Sequence, residues 1–392
     1  MRNKTIPRIN NVNTVKKFFS SSLKNIFSSN VRQQSKYSSG DIIHTIRNAI
    51  SSKEYIETYV RNSNCNHIPS ADTVFRRIRN IASESGSHRC SGSESLKRHT
   101  VHDGLERISM IIDSTVQMAI ANNAFSSPVN IAIDEHDDPY YGIDNRYLIN
   151  APFHKFSGTD RAYRFATLES VKNGMRLTLA IMKKDQLDGI DNAHEVDYLI
   201  RHAMSLGVSI NTVLMDRAYL DAGVIIKVES LKLKYIIQAR DNTRVLKYKK
   251  MEMKHCDNGI SYLIINDKIS SGKESVETGF VHIIYYPDRE RHDFSFYTNV
   301  NVDEGNVREL AEMYRERWGI ENGYLEKKDV KEKAHSPDMG VRYFLFFLSV
   351  LLYNMWMLFD LIRRMAGYGW ITLMDFIISM GRRNNIIMDN NG

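Results

Sequence analysis

The sequence predicts an α/β protein, with a mixed sheet and covering helices preceded by a small all-helical module. Three patterns predict it. Helical periodicity prevails over 39–121, short apolar strand-type runs alternate with helical ones over 129–238, and β-type runs crowd 243–300 before helical periodicity returns. The chain has 392 residues, 42% of them hydrophobic, which suffices for a buried core and two or three domains.

Residues 1–38 are rich in Ser, Asn, Gln and Lys and read as a loose basic arm with one short helix at most. Over 39–95 the pattern turns helical. Ser39-Gly40-Asp41 can cap Ile42–Ile50, Ser52 precedes Tyr55–Val60, and Pro69-Ser70-Ala71-Asp72 introduces Thr73–Ile81. The last run carries Arg76, Arg77 and Arg79 beside Val74, Phe75 and Ile78. Three short helices ending in a basic one predict a helix-turn-helix module with its recognition helix near 71–81. A plain helical bundle has the same pattern, and the arginines favour DNA binding. Ala82–Ser95, rich in Ser and Gly, reads as a linker.

Charge agrees with this placement. Residues 1–100 hold 17 Lys/Arg against 6 Asp/Glu, so the formal charge of +7 on the whole chain is an N-terminal property. An acidic partner such as nucleic acid suits such a front.

From 96 to 242 the chain reads as the first part of an α/β domain with a mixed sheet. Leu105–Ala121 is helical, Val129–Ile133 a short strand, and Phe165–Glu169 with Met175–Met182 a hairpin turning at Lys172-Asn173-Gly174. Val196–Leu206 and Ala222–Ser230 are helices, and Ser209–Met215 and Lys234–Gln238 are buried strands. Residues 243–300 break the rhythm: Val245–Lys249, Ser261–Ile265, Val281–Tyr286 and Phe294–Val300 suggest an antiparallel, β-rich insertion. The last part, 301–392, holds one long helical segment, Asn306–Lys333, and an apolar one, Val341–Met365. Within the latter, Tyr343–Phe359 nears membrane-like apolarity, but Ser349 and Asn354 interrupt it and Arg342 and Asp360 flank it. It reads as a central helix of a soluble domain. With a polar N-terminus and no apolar leader, a cytoplasmic protein without a membrane partner is expected. Only Cys65, Cys90 and Cys256 are present, which excludes a disulfide framework. Cys65-Asn66-His67 and His88-Arg89-Cys90 lack the usual zinc spacings.

The chemistry concentrates at three places. Tyr314, Arg317, Glu321 and Lys328 stand at helical spacings, so one helix through the segment puts all four on one face. A carboxylate, two cations and a phenol together suit a phosphodiester, with the acid on a divalent metal and the cations on phosphate oxygens. A solvated helix surface has the same spacing, so flanking residues must decide. Asp134 directly follows the apolar run ending at Ile133, and Asp216 directly follows Val213-Leu214-Met215. Strand ends in an α/β sheet open onto the crevice where ligands bind. Three converging carboxylates repel one another unless cations balance them, which divalent metal does with oxygen ligands. Two such ions could activate the attacking oxygen and stabilise the leaving one. Asp137 and Asp138 crowd Asp134; Asp134 is preferred because it continues the strand, with Asp137 the alternative.

Ile133-Asp134, Pro139-Tyr140-Tyr141-Gly142, Leu214-Met215-Asp216-Arg217-Ala218-Tyr219 and Tyr-x2-Arg-x3-Glu-x6-Lys over 314–328 together resemble a DDE transposase. The similarity is to the insertion-sequence group with the Tyr-Arg-Glu-Lys signature, especially its archaeal branch, and spans roughly 39–365. The resemblance implies an RNase H-like core with a β-rich insertion between the second Asp and the Glu. It implies Mg²⁺ or Mn²⁺, two ions in all, held by Asp134, Asp216 and Glu321. It further implies cut-and-paste cleavage at terminal inverted repeats, strand transfer into target DNA, and a homodimer on double-stranded DNA. Tyr314, Arg317 and Lys328 would hold the DNA end, and Arg217 would orient Asp216 or touch the backbone. Trp318 could stabilise a flipped base or simply pack. Two rival readings follow from the same residues: a nuclease on this core without strand transfer, and a DNA-binding protein with a vestigial core.

Overall fold

The computed structural model describes residues 12–28, 36–63, 67–82, 103–124, 128–145, 147–151, 155–171, 176–184, 189–256, 259–286, 291–317, 319–331 and 336–380. The chain forms two compact units: residues 1–124, 140–161 and 323–392 make the first, and 125–139 with 162–322 the second.

The first unit is helical. Its elements are α1 (Val12–Ser28), α2 (Ser39–Ser52), α3 (Ile56–Asn62), α4 (Ala71–Ala82), α5 (Asp103–Ala121), α11 (Met339–Met365), α12 (Leu373–Ser379) and a two-residue strand β2 (Ile149–Asn150). The loose arm expected over 1–38 is, in its described part, a 17-residue helix. Val15, Phe19, Leu23, Ile26 and Phe27 recur at helical spacing and are buried, so the segment has an apolar face to dock. Phe19 meets Phe376 of α12 and Phe27 meets Phe344 of α11, both edge to face. Ser38 and Asp41 form a reciprocal capping box that starts α2. The short helices expected over 39–81 are present as α2, α3 and α4, while 83–102, which holds most of the expected linker, and Cys65 lie outside the described residues.

The apolar helix α11 is the core of this unit, as its interruptions suggested. It is long and apolar enough to cross a membrane, yet 89% of its most apolar window is buried. Asp338 caps it by accepting from the Val341 amide. Ser349 donates to the Phe346 carbonyl, and Asn354 donates to Thr115 Oγ1 of α5 at 3.3 Å, so the polar interruptions are met inside the bundle. Helices from both ends of the chain thus share one core, because α11 packs on both α4 and α5. The linear division expected between 39–95, 96–242 and 301–392 does not coincide with these units for that reason.

The second unit is built on a mixed sheet. Its strands are β1 (Val129–Pro139), β3 (Arg161–Val171), β4 (Thr178–Lys184), β5 (Ile210–Met215), β6 (Lys234–Gln238), β7 (Lys254–His255), β8 (Ser261–Ser271), β9 (Glu274–Tyr285) and β10 (His292–Thr298). Their lateral order is β3-β1-β5-β6-β10-β9-β8-β7, with β4 on β3. The pairs β1/β3 and β3/β4 are antiparallel, and β1/β5 and β5/β6 are parallel. The parallel connections carry α6 (Asn192–Ser205) and α7 (Ala222–Ser230), the crossover helices such pairs require.

Four expectations change here. β1 runs to Pro139 instead of ending at Ile133, because β3 stays paired with it through Ala162. Val245–Lys249 is not a strand: Asn242 accepts from the Val245 amide and starts α8 (Thr243–Tyr248). The β-rich stretch does not stand apart either, since β10 pairs with β6 and extends the same sheet. Lastly, the long helix expected over 306–333 is two: α9 (Val307–Glu316) and α10 (Gly319–Val330). Tight bonds from the Arg317 amide to the Tyr314 carbonyl and from the Ile320 amide to the Arg317 carbonyl mark the break.

Candidate active site

The two aspartates come together through register. Ile133 and Met215 are the last facing pair between the parallel strands β1 and β5, and Asp134 and Asp216 are the next residue on each. Met215 ends β5, yet Asp216 keeps an extended backbone (φ −78°, ψ 176°). Side chains alternate along extended chain, so both carboxylates leave the sheet on the face opposite Ile133 and Met215. Asp134 Oδ1 accepts from the Glu135 amide at 2.9 Å, and Asp216 Oδ1 accepts from the Ala218 amide at 2.7 Å. One oxygen of each is thereby oriented by local backbone.

A buried cation faces this pair. Arg317, only 5% exposed, places Nη1 3.9 Å from Asp134 Oδ2. Burial disfavours its charge, but the Tyr314 phenol, Asp134 and Asp216 outweigh that and hold its pKa above the ordinary value. The guanidinium also lies 5.6 Å from the centre of the Tyr314 ring. Tyr314 is 2% exposed and is wedged between Phe296, on which it stacks, and Phe294, which it meets edge to face. Burial pushes its phenol up; Arg317 opposes this, and Asp216 and Asp134 add to it. Tyr314, expected to hold DNA, is therefore a core residue that backs Arg317.

The acidic cluster on β1 divides by strand alternation. Asp137, on the other face from Asp134, has a fully buried side chain clasped by Arg164: Nε reaches Oδ1 at 2.6 Å and Nη2 reaches Oδ2 at 3.0 Å. With both oxygens held by one guanidinium, Asp137 is poorly placed to bind metal. Asp138 shares Asp134's face, and of the two it is Asp134 that stands level with Asp216 in the β1/β5 register.

The remaining expected residues fall as follows. Glu321 is the third residue of α10, and its side chain lies outside the described set, as does Trp318. Lys328 is an exposed residue of α10 within the helical unit; its neighbour Lys327 is the buried one, with Nζ 4.7 Å and 5.1 Å from the ring centres of Tyr324 and Tyr353. Arg217 is exposed in the 3-10 turn Arg217–Tyr219 that follows Asp216. Arg76 and Arg79 are exposed and Arg77 half-buried on α4 of the helical unit. The break at Arg317 means that Tyr314 and Lys328 do not share one continuous helix face.

Several residues escaped sequence reading. Arg240, just beyond β6, donates Nε to the Arg217 carbonyl at 2.8 Å, and Asn192 donates to the Ala218 carbonyl at 3.0 Å. Both brace the turn that carries Asp216. Behind it, Tyr219 donates to the buried Glu195 at 2.5 Å, and Lys184 bridges Glu195 and Glu135. Burial and the nearby Glu135 raise the Glu195 carboxyl above its usual range, with Lys184 and Tyr219 pulling the other way. Only Arg240 had a signal, a cation just past the end of a strand adjoining β5.

The donor set fits a divalent cation. Two carboxylates at neighbouring strand ends supply hard oxygen ligands, and a buried arginine tempers their repulsion in its absence. Among the described residues no group of three or more His, Cys, Asp or Glu stands close enough to hold a metal.

Residues 183–355 match the family described as the transposase DDE domain, a span that includes Asp216, Tyr314, Arg317, Glu321 and Lys328. The cryo-EM structure of a piggyBac transposase synaptic complex with hairpin DNA aligns at 13% identity and a TM-score of 0.59, covering 96% of this chain and 80% of that one. The Drosophila P element transposase strand transfer complex aligns at 13% identity over 57% of this chain and 42% of that one, with a TM-score of 0.28, which carries no argument about fold. No curated protein matches the chain. The fold is thus similar to that of a solved transposase, and residues 183–355, which carry the second aspartate and the Arg317 region, match a transposase DDE domain.

Proposed function

We propose that the protein cuts DNA at the inverted repeats of an insertion sequence and joins the freed ends to target DNA, using Asp134, Asp216 and Glu321 as metal ligands. The observation that carries this reading is the register that sets Asp134 and Asp216 side by side at the ends of β1 and β5. The strand order, an antiparallel β4-β3-β1 sheet continued by parallel β5 and β6, supports an RNase H-like core. Mg²⁺ or Mn²⁺, as a pair of ions that Asp134, Asp216 and Glu321 would hold, would supply the Lewis acidity that phosphodiester cleavage needs. The chain's own residues do the rest. Asp134 and Asp216 hold their carboxylates in fixed orientation through the Glu135 and Ala218 amides. Arg317, buried and charged, offsets their repulsion and is poised to receive a phosphate oxygen of the DNA end. Tyr314 keeps Arg317 in place from the core side.

Arg217, exposed beside Asp216, is suited to the DNA backbone, and Lys328 to a phosphate. Helices α2, α3 and α4 would act as the helix-turn-helix module, with Arg76, Arg77 and Arg79 contacting the terminal repeats. The active form would be a cytoplasmic homodimer bridging two element ends. Incubation of the protein with Mg²⁺ and duplexes bearing the repeats that flank its reading frame should give a nicked strand with a 3′-hydroxyl, then joined product. Cleavage by an Asp216→Asn protein at the wild-type rate would overturn the ligand assignment. Cleavage without joining would identify a nuclease instead.

A further inference from the structure

The face of β1 turned away from Asp134 carries a charge network that the proposed chemistry leaves unused. Lys184, the last residue of β4, places Nζ 2.6 Å from Glu135 Oε1, 2.8 Å from Glu195 Oε2 and 3.0 Å from Asn192 Oδ1. All three ammonium protons therefore have acceptors. Its side chain is 16% exposed and that of Glu195 is fully buried, so these bonds are shielded from solvent screening.

Each acceptor leads to one of the two aspartates. Glu135 adjoins Asp134 on β1 and is also held by Arg164 at 3.0 Å, the same guanidinium that clasps Asp137. The other two acceptors stand on the first turn of α6. Asn192 donates its amide to the Ala218 carbonyl, and Glu195 accepts from the Tyr219 hydroxyl. Ala218 in turn donates its backbone N–H to Asp216. A single lysine thus ties the strand of one carboxylate to the turn of the other.

We propose that Lys184 is a positioning residue for the metal-binding pair: through Glu135 on one side and Asn192 and Glu195 on the other, it fixes the orientation of Asp134 relative to Asp216. Its ammonium is taken up by these three acceptors, so its role is to orient and not to react. Such outer partners of metal-binding carboxylates are worth about 10- to 100-fold in metal affinity or activity. This inference rests on the proposed metal role of Asp134 and Asp216, and the test separates the two.

Mn²⁺ binding to the full-length protein without DNA, followed by electron paramagnetic resonance, is the primary readout. Lys184→Met strands the buried Glu195 charge and risks unfolding, so the informative protein is the double variant Lys184→Met/Glu195→Gln, with Asn192→Ala as a milder second probe. Thermal melts confirm folding. The double variant should bind Mn²⁺ roughly 10- to 100-fold more weakly, with cleavage recovering as Mn²⁺ is raised. Asn192→Ala should weaken binding by a smaller factor, and Lys184→Arg should restore part of the affinity. Wild-type Mn²⁺ affinity in both the double variant and Asn192→Ala, with wild-type binding abolished by Asp216→Asn, would overturn the positioning role alone. Absence of any Mn²⁺ binding that depends on Asp216 would overturn the metal reading and this inference together.

Discussion

Replacing Tyr314 with alanine separates a core residue from a DNA contact. A tyrosine at 2% exposure buries about 150–250 Å². At about 25 cal/mol per Å² this is roughly 4–6 kcal/mol, and a compact unfolded chain reduces it to about 3–5 kcal/mol. The stacked contact with Phe296 and the edge contact with Phe294 are lost as well. Tyr314→Ala should therefore destabilise the sheet unit by about 3–5 kcal/mol in urea melts, in line with other buried aromatic truncations. Tyr314→Phe keeps the ring and its contact with the Arg317 guanidinium and should lose no more than about 1.5 kcal/mol. A residue whose work is to grip DNA would behave oppositely, with near-normal stability in both variants and weakened DNA binding even in Tyr314→Phe. A Tyr314→Ala protein within 1 kcal/mol of wild type would refute the reasoning.

Further outcomes follow from the same geometry. Asp137→Asn should destabilise by about 1.5–3 kcal/mol, because it weakens the two-bond clasp of Arg164 while Glu135 remains as that arginine's ion-pair partner, yet retain Mn²⁺ binding; Asp134→Asn should do the reverse, as melts and metal titration together would show. Arg317→Met removes the cation 3.9 Å from Asp134, an attraction of at most about 4 kcal/mol at an effective dielectric of 20. The metal-free protein should then melt lower and gain more from added Mn²⁺ than wild type does, which differential scanning fluorimetry measures. His282, 1% exposed on β9, has its pKa lowered by burial, with Asp293 opposing. The unfolded chain thus binds the proton more readily, so stability is full above the ordinary value of 6.5 and declines as pH falls through the lower folded value. His282→Asn should flatten that acid decline by up to about 1.4 kcal/mol per pH unit in pH-dependent urea melts.

Sequence patterns reached the sheet, the crossover helices and the central helix because each rests on local periodicity. Asp134 and Asp216 were legible for a related reason: each continues an apolar run, and parallel register carries that local fact across two strands. Arg317 was legible as a cation at helical spacing, but its burial was not, since that depends on β10 joining β6, a pairing between residues about sixty apart. The same pairing explains why the β-rich stretch looked separate from the core. α1 was misread because its polar composition masked five apolar residues on one face, two of which, Phe19 and Phe27, meet rings more than 300 residues away. Lys184 and Glu195 carried no signal, because nothing local distinguishes a lysine at a strand end from a solvated one.

The sharing of one helical core by both ends of the chain dictates an order of events during synthesis. Helix α5 ends at Ala121 and its main packing partner α11 begins at Met339, so about 220 residues must emerge between them. At roughly 5–20 residues per second that is an interval of about 10–40 s. Throughout it, the apolar faces of α1, α4 and α5 lack the helix that covers them, whereas every strand of the sheet that carries Asp134 and Asp216 is made within it, the last ending at Thr298. The nascent protein therefore passes through a stage with its carboxylate-bearing sheet complete and its helical core open. Chains halted before residue 339 should be the form that chaperones bind and that aggregates.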